Sequence, residues 1–129
     1  MNAHTLSILV VTDDRGLRET VCDALQTRGC LVTAAATGVE GLRGVALGRF
    51  DAVVTHVSML SRGGLWLWRG AAALRPELVG RFIFCGANGL PDSFDGPFRS
   101  ERFLSEPLDL SILWAEIRAV THRDAVESS

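Results

Sequence analysis

A chain of 129 residues with 47% hydrophobic and 22% charged side chains is long enough to bury one core and too apolar to remain disordered. Its net charge of −2, with every positive residue an arginine and none of them clustered, offers no basic stripe to nucleic acid. No apolar run reaches the ~18 residues of a membrane helix, and the start MNAHTLS lacks the features of a signal peptide; the three cysteines have neither CxxC nor metal-ligand spacing, so a cytoplasmic domain with reduced thiols and no membrane partner is expected.

In chain order, LSILVV reads as a strand, and DDRGLRETVCDALQTRG as a helix with Leu17, Val21, Ala24 and Leu25 on one face. Asp13 or Asp14 suits its start and Gly29 its end. CLVTAA is a second strand, and TGVEGLRGVALGR a second helix whose GxxGxxG spacing is not a dinucleotide fingerprint. DAVVTH is a third strand, apolar and β-branched enough to be covered on both faces. GLWLWRGAAALR is a third helix stopped by Pro76, and its Trp66 and Trp68, two residues apart, cannot share a face. GRFIFC is a fourth strand.

The stretch GANGLPDSFDGPFRSE, where a fourth helix is due, carries Gly86, Gly89, Pro91, Gly96 and Pro97, so that helix is expected to be short or absent. RFLSEP follows as a short fifth strand, then DLSILWAEIRAV as the last helix. Residues 1–122 form the expected domain, and 123–129 a polar tail or linker stump.

Alternation of this kind predicts an α/β fold, a flavodoxin-like doubly wound sheet of five parallel strands in order 2-1-3-4-5 with helices on both faces. Such sheets do their chemistry beyond the carboxyl ends of the strands, where His56 ends the third.

Within that class the chain resembles the receiver domain of two-component response regulators over nearly its whole length. ILVV followed by an acidic cluster, DAVVTHVSML, GGLWL and FLSEPLDL stand in the family's order and spacing. In that family an aspartate after the third strand accepts a phosphoryl group, acids after the first strand hold Mg²⁺, and a hydroxyl and a lysine contact the phosphoryl oxygens.

Laid on that pattern, the chemical positions are replaced. His56 stands for the phosphoacceptor and cannot form an acyl phosphate. Thr12 stands for the first acid, leaving Asp13 and its neighbour Asp14. The hydroxyl position falls on Gly86, or on Cys85 if the register slips by one. Glu106, followed by the retained Pro107, stands for the lysine, and the chain has no lysine anywhere. Leu60 replaces the proline after Met59, and Phe103 occupies the aromatic switch position without a hydroxyl.

The resemblance therefore implies a pseudo-receiver: no enzyme and no cofactor, a signalling module that binds a protein partner such as a histidine kinase or an output domain, with pairing of two copies left open. His56 could instead join Asp13 and Glu106 as a metal or small-ligand sensor, or simply bond to one carboxylate at the sheet edge. Asp13 and Asp14 likewise read as residual metal ligands or as a helix cap and first-turn acid. A haloacid-dehalogenase-type phosphatase would need DxD, which TDDRG does not give.

Overall fold

The computed structural model of the chain describes residues 5–59, 62–86 and 100–128. Five strands, β1 (Ser7–Val11), β2 (Leu31–Ala35), β3 (Ala52–His56), β4 (Phe82–Gly86) and β5 (Arg102–Ser105), form one parallel sheet in the order β2-β1-β3-β4-β5. Four helices are present among the described residues: α1 (Arg15–Thr27), α2 (Gly38–Leu47), α3 (Gly64–Leu74) and α4 (Leu110–Ser128). The topology is the doubly wound, flavodoxin-like fold that the alternating pattern predicts. The expected loss of a helix after the fourth strand falls on residues 87–99, outside the described residues.

Because β1, β3 and β4 are inner strands, their side chains alternate between two buried layers rather than between core and solvent. Leu9, Val11, Val53, Phe82 and Phe84 enter one layer with α2 and α3; Ile8, Val10, Val54, Ile83 and Cys85 enter the other with α1 and α4. Strand β2, on the sheet edge, keeps only Ala35 fully buried.

Local chemistry sets the boundaries. Asp14 rather than Asp13 caps α1, its Oδ1 accepting the Leu17 amide at 3.0 Å. Gly29, at φ +86°, turns the chain off the helix while the Cys30 amide returns to the Leu25 carbonyl. Thr37 caps α2 through the Glu40 amide, and Glu40 reaches back to the Ala36 amide, closing a capping box one residue wider than usual. Glu101, nearly buried, accepts the Gly80 and Phe82 amides at 2.6 and 2.8 Å and so fixes the bend into β4.

Two boundaries differ from the sequence reading. Strand β5 ends at Ser105, ahead of Glu106 and Pro107. Helix α4 runs on to Ser128 through the stretch expected as a polar tail, since nothing between Val120 and Ser128 is a glycine or proline that would stop it. Trp68 is buried, whereas Trp66 is half-covered and carries the Arg62 guanidinium 5.3 Å from its ring centre.

Candidate functional site at the carboxyl edge

Strand register brings the replaced positions together. His56, the last residue of β3, pairs with Cys85 of β4, and Gly86 pairs with Ser105 of β5. The Glu106 amide bonds to the Gly86 carbonyl at 2.9 Å, which sets Glu106 directly past the end of the sheet. The Glu106–Pro107 peptide bond is cis. Thr12 follows β1 and is buried. Gly64 begins α3 against the end of β3; a Cβ there would stand 2.5 Å from the His56 carbonyl oxygen, so only glycine permits this approach.

His56 Nε2 lies 3.4 Å from Glu106 Oε2, with the side chains 19% and 28% exposed. Its Nδ1 faces Ser58, 2.8 Å from the carbonyl oxygen and 3.3 Å from the amide nitrogen. A ring with its proton on Nε2 donates to Glu106 and accepts from the Ser58 amide; a doubly protonated ring donates to both oxygens. In either form both ring nitrogens are engaged within the chain. Partly exposed pairs of this length contribute little to stability, about 1 kcal/mol or less. Their consequence is positional.

The first strand's end is similarly occupied. Thr12 Oγ1 accepts the Asp14 amide at 3.1 Å, its amide bonds to the Ala35 carbonyl, and its carbonyl accepts Arg18 Nη1 at 2.6 Å. Asp14 is committed to the helix cap, and Asp13 is exposed beside it. Among the described residues no group of three or more His, Cys, Asp or Glu side chains could hold a metal ion.

Gly86 and Cys85 separate by face. Cys85 points into the α1/α4 layer, 2% exposed, where burial first and the Glu106 charge second push its thiol up to about 12. Gly86 lies on the other face, under Phe103: a Cβ on Gly86 would meet Phe103 Cζ at 3.2 Å and Cε2 at 3.4 Å. A side chain at the hydroxyl position would therefore meet the edge of that ring more closely than ordinary van der Waals contact. Beneath His56 the layer leaves a cavity of about 10 Å³ bordered by Val10, Leu17, Val54, Cys85 and Leu108, space for one water at most. The metal or small-ligand sensor reading is not favoured by these dimensions or by the ligand set.

Sequence reasoning placed His56, Glu106, Thr12 and Gly86 in one site. It missed Arg18, the Ser58 backbone and the stacking of Phe103 on Gly86. Arg18 carries no motif, and contacts to backbone atoms leave no mark in a sequence.

No family model matches the chain. It is 31% identical over 124 residues to response regulator MprA of Mycobacterium ulcerans, covering 95% of this chain and 53% of that protein. Against MprA of Mycobacterium leprae identity is 33% over 128 residues, with 95% and 56% covered. A CheY-like receiver domain protein from Methanospirillum hungatei superimposes with a TM-score of 0.86 at 21% identity, covering 96% of this chain and 99% of that one. The receiver domain of sensor histidine kinase PA1611 from Pseudomonas aeruginosa, solved with magnesium in its active-site cleft, gives 0.78 at 20%, with 92% and 98% covered.

The fold is that of CheY-like receiver domains, and over nearly its whole length the sequence is similar to part of the response regulators named above. The chain spans about half the length of the MprA proteins it matches.

Two outcomes follow from the packing. Gly86→Ala is expected to destabilise the domain by about 1 kcal/mol, the clash with Phe103 outweighing the entropic gain of removing a glycine. Combining it with Phe103→Leu should recover the loss in a urea-denaturation double-mutant cycle; additive losses would show that the two do not touch.

The second outcome concerns alkaline pH. Folding raises the Cys85 thiol from 9.0 to about 12, so the native state is favoured in full below pH 9 and that advantage is lost as the unfolded thiol ionises above it. Neither lysine nor tyrosine is present to titrate over the same range. Between pH 9 and about pH 11 unfolding free energy should fall by about 2–3 kcal/mol more in the wild type than in Cys85→Ala. Equal slopes would place Cys85 in contact with solvent.

Proposed function

We propose that this domain serves two-component signalling as a receiver scaffold whose contacts with a partner protein do not depend on phosphorylation. The observation that carries this reading is the His56–Glu106 pair: a base stands where an acyl phosphate would form, and an acid where a cation would meet the phosphoryl oxygens. Gly86 under Phe103 and Thr12 bonded to the α1 cap support the same reading. Loss at one position would leave a weakened switch. Loss at each of them leaves a scaffold.

The domain then catalyses no reaction of its own and needs no cofactor. Its partner is a signalling protein, a histidine kinase or an output domain, the classes with which receivers work. No helix among the described residues is long and apolar enough to cross a membrane, which fits the cytoplasmic setting of such partners. The small net charge gives no support for nucleic-acid binding.

The test is phosphorylation by acetyl phosphate with Mg²⁺, read by intact mass. The wild type should gain no phosphoryl group, and neither should His56→Asp. In that variant Glu106 would still face the phosphoryl oxygens; at ~4 Å and an effective dielectric of ~20 each unit of like charge costs about 4 kcal/mol where a lysine would contribute a similar stabilisation. Stable, Mg²⁺-dependent phosphorylation of either protein would overturn the proposal.

A further inference from the structure

Helices α2 and α3 lie side by side on one face of the sheet and pack through glycines. Leu42 of α2 fills the place that a side chain on Gly70 would take, a Cβ there standing 2.8 Å from Leu42 Cδ1, and Gly38 abuts the Arg62 backbone just before α3. This close approach makes the outer surfaces of the two helices continuous. Val39 and Arg43 stand one turn apart on α2, Trp66 and Arg69 one turn apart on α3, and the Arg62 guanidinium lies over the Trp66 ring. The three arginines are exposed, Val39 is 48% exposed and Trp66 is half-covered, with Ala46 and Ala73 exposed a turn further along.

The charge of this surface runs against that of the chain. From Gly38 to Leu74 there are four arginines, Arg43, Arg49, Arg62 and Arg69, and two acids, whereas the remainder holds nine arginines and thirteen acids. Both of those acids are tied to backbone amides: Glu40 Oε1 accepts from Ala36 at the start of α2, and Asp51 Oδ2 accepts from Ser7 at the amino edge of the sheet. Arg43, Arg62 and Arg69 form no ion pair among the described residues.

Three arginines around an apolar strip call for carboxylates around an apolar strip. A phosphate-rich surface would gain from the arginines but not from Val39 and the alanines, and the acid-rich remainder of the chain would oppose its long-range field. An amphipathic helix with acids flanking an aliphatic stripe satisfies both features, its stripe along Val39 and Trp66 and its carboxylates at the arginines.

We propose that the outer face of α2 and α3 is a docking surface for an acidic amphipathic helix of a partner protein. This contact gives the protein-binding reading above its chemistry, and rests on that reading only for the claim that the partner is a protein. It does not involve the His56–Glu106 pocket. Mass after acetyl phosphate treatment reports on the pocket and the titration below on this face, so each can fail alone.

Titration of the ¹⁵N-labelled chain with a helical peptide about 20 residues long, its glutamates flanking a leucine stripe, tests the surface. Saturable amide shifts should be confined to Val39–Leu47 and Arg62–Ala73, and affinity should fall as salt rises from about 50 to about 500 mM. Arg43→Glu, Arg62→Glu and Arg69→Glu, all at exposed positions, should each weaken binding by about fivefold or more. The triple reversal should abolish it, and should instead bind the same peptide with lysines in place of the glutamates, which the wild type should not.

Absence of shifts up to about 1 mM peptide, shifts centred outside these two helices, or binding indifferent to the reversals would overturn the proposal. So would duplex DNA or phosphatidylserine vesicles shifting the same amides at lower concentration than the peptide, which would assign the face to phosphates.

Discussion

Burial of β1, β3 and β4 on both faces is the constraint from which the rest of the molecule follows. Their side chains are almost entirely withdrawn from water, so a polar group on these strands is tolerated only at an end, where it can find a partner. Parallel pairing then aligns those ends. His56 comes beside Cys85, Glu106 is hung from the Gly86 carbonyl, and Thr12 emerges from the neighbouring strand. The site is a product of strand register before any property of its side chains is considered.

What those side chains do with the position is to satisfy one another. His56 bridges Ser58 and Glu106, Thr12 bridges the start of α1 and the Arg18 guanidinium, and Phe103 lies over Gly86. Each interaction is modest in energy. Together they turn a cleft suited to an exogenous anion and its metal into a surface whose groups already have partners. Under the reading proposed above, the helices and loops of the scaffold are what remains for contact with a partner.

Much of this was legible in the sequence. Continuous apolar runs announced inner strands, and helical spacing, with Asp13 or Asp14 at the start of the first helix and Gly29 at its end, announced the helices between them. The order of motifs gave the register that sets His56 opposite Glu106. Legibility failed where the determining contact involves backbone or a distant ring. Choosing Gly86 over Cys85 as the residue facing Phe103 needed the strand parity of β4, and Asp13 and Asp14 are equally good caps on paper. The end of α4 escaped because polarity was read as fraying, although residues 121–128 hold no helix breaker.

The central claim, that the carboxyl edge no longer receives a phosphoryl group and its metal, is tested most directly by titrating the ¹⁵N-labelled chain with beryllofluoride and Mg²⁺. Beryllofluoride imitates a phosphoryl group without requiring transfer chemistry, so it separates an absent binding site from slow phosphorylation. The account predicts that the amides of Thr12–Asp14, His56–Ser58 and Cys85–Gly86 keep their chemical shifts throughout the titration. Saturable, Mg²⁺-dependent shifts at those amides would show that the pocket still binds its ligand, and would contradict it.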